Sequence, residues 1–175
     1  MRKRGLATFA VLMFSASLAQ AEPLPGQRAA AEAGDVRAQY ALGIIYDTGS
    51  GVPVDYTEGF RWFRLSAEGG YAPAQAKMGL MLLYGWQERR DVAAAARWYE
   101  MAAEQGHLAS QAQIASMYAR GAGVAKNPVL AYKWTAVAAA AGDGMSAWWL
   151  PRRAAQLTPA ELAEAEALAR GWRPR

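Results

Sequence analysis

An all-α fold, and within it an α-solenoid of antiparallel helical hairpins, is predicted by three observations. First, a pattern returns without a gap every 36 residues: Ala38-Gln39 recurs as Ala74-Gln75 and Ser110-Gln111, and Trp62 as Trp98 and Trp134. A constant period of this length marks a stacked array in which each unit touches mainly its neighbours. Second, apolar residues inside each unit follow the three–four spacing of a helix face. Third, glycines punctuate the units where helices should stop: Gly49, Gly85 and Gly121 within them, Gly70, Gly106 and Gly142 at their ends.

The chain start is set apart. Arg2, Lys3 and Arg4 precede a largely apolar run, Leu6 to Ala19, and Ala19-Gln20-Ala21 fits a small-x-small cleavage site. This order reads as a secretory signal peptide over residues 1–21, cleaved after Ala21. The run is shorter than the ~20 apolar residues that span a bilayer. A periplasmic or secreted product without membrane insertion is therefore expected. Residues 22–33, with Pro23, Pro25 and Gly26, read as a flexible lead-in followed by the start of the first helix.

The first full unit is placed at 34–70. Its first helix, Val36 to Tyr46, aligns Ala38, Ala41, Leu42, Ile45 and Tyr46 on one face. Gly43 lies inside it, at a cost of about 1 kcal/mol relative to alanine. Gly79 and Ala115 hold the same place, so a neighbouring helix is expected to approach there. Gly49, Gly85 and Gly121 suit left-handed caps. Asp55, Asp91 and Asn127 suit the starts of the second helices, whose free amides their side chains can bond. Glu58 stands where a capping box would put it, and Pro128 at a first helical position. Trp62, Trp98 and Trp134 share one position and read as packing between helices.

Units 71–106 and 107–142 repeat this plan. The remainder, 143–175, reads as a partial fourth unit and an atypical cap. It holds a helix from Met145 to Leu150 stopped near Pro151, then one from Pro159 to Arg170 opened by Thr158 and Glu161.

Composition limits the chemistry. Without its leader the chain has 16 basic and 15 acidic side chains, since Arg2, Lys3 and Arg4 are three of the 19. A net of +1 does not suggest nucleic acid. No cysteine and one histidine, His107, argue against a soft-metal site. His107 reads as a turn or helix-start residue, with no catalytic partner in the pattern. No catalytic residue, metal ligand or cofactor is expected.

The residues that carry the repeat resemble a known family. Ala38-Gln39-x-x-Leu42-Gly43-x-x-Tyr46, then Gly49-x-Gly51-Val52-x-x-Asp55, then Trp62 and Ala67-Glu68-x-Gly70, are similar to a Sel1-like repeat, and the likeness covers residues 31–142. The related tetratricopeptide repeat, with about 34 residues, fits the period less well. The resemblance implies a non-enzymatic adaptor or scaffold for a protein or peptide in the bacterial cell envelope. Unit two departs from it: Gly85-Trp86-Gln87-Glu88-Arg89-Arg90 replaces the glycine-x-glycine-valine loop, which reads as a reshaped loop.

Two surfaces are candidates for partner binding. Stacked hairpins would place Arg37, Tyr40, Ile44, Asp47, Leu80, Leu83 and Ser116 on the concave side. Small residues there (Ala76, Ala112, Ala119) would leave a shallow groove for a peptide. The loop residues Trp86, Arg89 and Arg90 form the second candidate, since tryptophan and arginine concentrate binding energy. The alternatives are a carbohydrate-binding module on Trp86 and a cell-wall-related hydrolase. For the latter, Glu100 and Glu104 lie four apart on one helix, an arrangement that is commonly just solvated.

Overall fold

A computed structural model describes residues 25–175. The expected signal peptide and its cleavage site lie outside the described residues. Among those, the elements are helices: α1 (Pro25–Glu32), α2 (Val36–Thr48), α3 (Tyr56–Glu68), α4 (Ala72–Tyr84), α5 (Val92–Glu104), α6 (Leu108–Arg120), α7 (Pro128–Ala140), α8 (Gly144–Ala154) and α9 (Pro159–Gly171). The hairpins are α2–α3, α4–α5 and α6–α7, and each second helix also packs against the first helix of the next unit.

The caps are those the sequence specifies. Gly49, Gly85 and Gly121 adopt φ of 72°, 76° and 70°, and their amides donate to the carbonyls of Ile45, Met81 and Met117. Asp55 accepts from the amides of Thr57 and Glu58, Asp91 from Ala94, and Asn127 from Leu130. Glu58 does not close a capping box; its carboxylate turns to Arg61, 3.0 Å away. Thr158 and Glu161 do form one.

The units are joined by a repeated bond. Nε2 of Gln39, Gln75 and Gln111 donates to the carbonyls of Ala31, Ala67 and Ala103 at 3.0, 3.3 and 3.2 Å. Each glutamine thus ties a first helix to the last turn of the helix before it, where carbonyls lack i+4 partners. At the middle junction Gln105 also donates to Oε1 of Gln75 at 2.8 Å. Positions equivalent to Gln105 hold Gly69 and Ala141, which have no donor. Oε1 of Gln39 and of Gln111 accordingly accept no hydrogen bond.

The core lies between first and second helices. Leu42, Phe63, Met78, Ile114, Met117 and Trp134 are its largest fully buried apolar side chains. The small-residue position works as expected from the sequence. A Cβ on Gly43 would sit 2.5 Å from the Phe63 ring, and one on Gly79 3.1 Å from the Tyr99 ring. In the third unit the corresponding pair is Ala115 and Thr135, both buried, where the smaller threonine leaves room for a methyl group. Trp62 and Trp134 are buried. Trp98 is only half-buried, so the three tryptophans are not equivalent packing residues.

Four further expectations are corrected. Residues expected in the lead-in are already helical from Pro25 among the described residues, and α1 stands in for a preceding second helix, with Ala31 packed beside Leu42 and Trp62. Helix α2 runs on to Thr48, whose hydroxyl donates to the carbonyl of Ile44. The loop after α4 keeps the family turn instead of being reshaped: Gln87 holds φ = 63°, beside 81° and 72° for Gly51 and Gly123 at the same position. Helix α8 passes through Pro151 and ends at Ala154.

The register explains the last of these. Pro151 occupies the place of Gly43, Gly79 and Ala115, where a unit's own second helix approaches. Here α9 lies along α7 instead of pairing with α8 as a hairpin. The crowding that demands a small residue is therefore missing. Beyond α9, Trp172 meets Trp134 edge to face at 6.0 Å, and the Arg175 amide donates to the carbonyl of Glu104 at 3.0 Å. No helix among the described residues is long and apolar enough to cross a membrane.

Candidate functional site

The first helices leave an opening along their shared face. Tyr40 from α2, Pro73, Ala76, Lys77 and Leu80 from α4, and Ala109, Ser110 and Gln113 from α6 line a groove of about 330 Å³. Tyr99 from α5 and His107 complete it. Tyr99 belongs to a second helix and reaches the groove floor because Gly79 has no side chain to block its ring. Burial pushes the Tyr99 hydroxyl up to about 12, with Tyr84 adding to the shift, so it stays a neutral hydrogen-bonding group. Tyr40 is fixed between Phe63 and Tyr71, with ring centroids 5.4 Å away in each case. These contacts hold the aromatic wall in place before any partner arrives.

His107 is the N-cap of α6. Its Nδ1 accepts from the Ser110 amide at 3.3 Å, and burial holds its pKa below the usual histidine value. The ring is a capping acceptor that also borders the groove. A base would need a reacting partner within hydrogen-bond reach, and the bond to Ser110 uses Nδ1 for the fold.

A second cleft of about 460 Å³ opens beside the first, lined by Asp47, Tyr56, Lys77, Met81, Trp86 and Gln87. Lys77 borders both, and its ammonium bonds the Asp47 carboxylate at 3.0 Å. Gln87 accounts for the space. At the corresponding turn of unit three, a Cβ on Gly123 would fall 2.1 Å from the Val92 carbonyl oxygen, so that loop lies directly on the start of α5. Gln87 has a Cβ, cannot settle as closely over the start of α3, and leaves a gap. Trp86 stacks on Tyr84 at 5.5 Å and remains 48% exposed.

The expected site residues therefore divide. Tyr40 and Leu80 meet in the groove; Asp47 and Trp86 meet in the adjoining cleft. Leu83 packs against the core. Arg37, Ile44 and Ser116 line neither opening; Arg37 lies at the start of α2, Ile44 is exposed, and the Ser116 carbonyl accepts from Arg120. Arg90 is committed to the Leu83 carbonyl at 2.9 Å. Arg89 borders a separate hollow with Arg64 and Glu88, which form an ion pair. Sequence reasoning missed Lys77, Tyr99, Tyr56 and Gln113. Lys77 was accessible to it, lying next to Ala76 and one turn before Leu80 on the same helix.

Glu100 and Glu104 are not merely solvated. Glu100 accepts from the Tyr118 hydroxyl at 2.7 Å, while Glu104 faces Lys133 at 3.5 Å and Arg175 at 3.7 Å. Burial foremost, and then the bond to Glu100, raise the Tyr118 pKa. Among the described residues no group of three or more histidine, cysteine, aspartate or glutamate side chains is arranged to hold a metal ion.

Helical hairpins at constant register, with a preformed groove on the first-helix face, define the class of protein: a repeat solenoid of the kind that displays an extended surface. The particular family is the Sel1 repeat, which matches residues 36–71, 72–107 and 108–143, and the chain belongs to it. A crystal structure of a Sel1 repeat protein from Oxalobacter formigenes is similar over 73% of this chain and 96% of that one, with 37% identity and a TM-score of 0.70. A protective antigen of uropathogenic Escherichia coli strains, displaying an SLR fold, is similar over 83% of this chain at 28% identity and a TM-score of 0.52. The similarity spans 39% of that antigen's chain. No curated protein matches the chain. Sel1 repeat proteins generally act as scaffolds for protein–protein interaction.

Proposed function

We propose that the protein is a non-enzymatic scaffold of the bacterial cell envelope that holds a peptide segment of a partner protein in the groove between α2, α4 and α6. The observation that supports this most is the preformed wall of Tyr40 and Leu80 around a floor of Ala76 and Tyr99. Binding to a surface already ordered loses little conformational entropy. Export follows from the leader over 1–21, and would place the chain in the periplasm or outside the cell. The intact mass of the exported product, starting at Glu22, tests that part.

A photo-crosslinking residue at Ala76 in native cells, read by mass spectrometry, should trap a partner. Tyr40→Glu with Leu80→Glu should abolish the crosslink while the helical circular dichroism is unchanged. An undiminished crosslink rejects the groove assignment. Carbohydrate binding at the Trp86 cleft is favoured by one observation, the exposed Trp86–Tyr84 stack beside Asp47 and Lys77. Glycan-induced quenching of indole fluorescence that disappears in Trp86→Ala would select it instead.

A further inference from the structure

The face that carries the groove continues past α6 by repeat register. Trp148 on α8 takes the place of Tyr40, Ala76 and Ala112, so the line of residues along the concave face reads aromatic, alanine, alanine, aromatic. Around that far end large apolar side chains lie open to solvent. Met145, Trp148 and Trp149 are 65%, 51% and 43% exposed. The two indoles meet edge to face at 4.9 Å, and the Arg152 guanidinium lies 3.5 Å over the Trp148 ring.

The charge at this end is one-sided. Arg152 donates to the Trp148 carbonyl, and Arg120, at the end of α6, to the Ser116 carbonyl. Arg153 sits at the position held by Ile45, Met81 and Met117 in the other units, with its Nε buried and unbonded. None of Arg120, Arg152 and Arg153 is in an ion pair among the described residues. Burial, and then the neighbouring Arg120, lower the pKa of Arg153. A helix C-terminus accounts for a cation near its last carbonyls. It does not account for a half-buried arginine whose Nε has no acceptor, nor for three of them left without a carboxylate. Guanidinium groups held against indole rings are preorganised to take carboxylates in a fork geometry.

We infer that the α8 end of the groove, formed by Trp148, Trp149, Arg120, Arg152 and Arg153, is a subsite for an acidic stretch of the partner peptide in which carboxylates alternate with apolar side chains. The proposal rests on the groove reading and names the partner's chemistry. The carboxylates would answer the arginines, and the apolar residues would cover Trp148 and Met145.

The test uses short fluorescein-labelled peptides alternating aspartate with leucine or phenylalanine, their asparagine counterparts, and a single-stranded oligonucleotide. Fluorescence anisotropy with the full exported chain should show binding of the acidic peptide, at least about tenfold weaker binding of the asparagine peptide, and loss of affinity with added salt. Arg152→Glu with Arg120→Glu, both exposed and so not expected to disturb folding, should lower affinity by a similar factor with unchanged circular dichroism. Four results would overturn the inference. They are failure of the acidic peptide to bind, an affinity unchanged by the arginine reversals, binding of the oligonucleotide as tight as that of the peptide, and sedimentation in which the same variants dissolve a self-associated form of the chain. Binding that is insensitive to the arginines but lost in Tyr40→Glu with Leu80→Glu leaves the groove standing and removes only the acidic subsite.

Discussion

Gln87 is a residue forced into a shape its neighbours in register assign to glycine. At φ = 63° its side chain meets the backbone in a way glycine avoids. The left-handed region costs a residue with a Cβ about 1–2 kcal/mol. Glycine there would recover part of that, offset by the greater freedom it has when unfolded. Gln87→Gly should raise the unfolding free energy by about 0.5–1 kcal/mol, seen as a higher urea midpoint at constant slope. A lower midpoint would mean that Gln87 earns its place through contacts that outweigh its backbone strain. The same substitution should let the loop close over the start of α3 and narrow the Trp86 cleft, so strain and cavity have a common cause. The sequence announces the missing glycine, but not whether the loop or the residue gives way. The two stop signals beside it, Gly85 and Asp91, fix the ends of the loop and leave the residue to yield.

The helix pairs show a second economy, in which a large ring on one helix requires an absent side chain on the other. Gly43 faces Phe63, Gly79 faces Tyr99, and the third unit changes both members, to Ala115 and Thr135. Gly43→Ala should destabilise by about 1–3 kcal/mol through overpacking. Combined with Phe63→Thr the penalties should fall short of their sum by about 1 kcal/mol or more, measured by a double-mutant cycle in urea. Additive penalties would show that the ring and the glycine do not constrain each other. At this scale the sequence was most readable, since caps, small positions and register depend on neighbours within one unit. Helix α8 was the exception. Taken locally its proline predicts a stop, because an isolated helix would end there. What tolerates Pro151 is the absence of a second helix against that face, a fact about α9 that no local pattern contains. Arg153 follows the same rule: a core position becomes a polar one only where the stack runs out.

For the whole molecule, the two ends are closed differently. At the N-terminal end α1 imitates a second helix and covers Leu42 and Trp62. At the other, α9 and the residues after it fold back over α7, so that Trp172 shields Trp134 and Arg175 reaches α5. Trp172→Ala should cost about 2 kcal/mol, less than the ~3–5 of a fully buried tryptophan, and should do so in one cooperative transition, because Trp172 packs on the core of the central units. A biphasic urea curve, with a first phase limited to α8 and α9, would show that the closing segment is a separate folding unit. The groove's direction was legible from the repeat, and its aromatic wall partly so. Its width, and Tyr99 as part of its floor, depended on side chains passing between helices.

The glutamine seams carry a mechanical corollary. At the waist of the array an amide is engaged through both its nitrogen and its oxygen; at the flanking seams the oxygen hangs idle. A spring built this way is stiffest in the middle and more compliant toward each extremity. The stiff seam lies between the units of Tyr40 and Ala76, so bending is directed to the Gln111 seam, between Ala76 and Ala112, and the far aromatic end can swing with it to suit a guest's length.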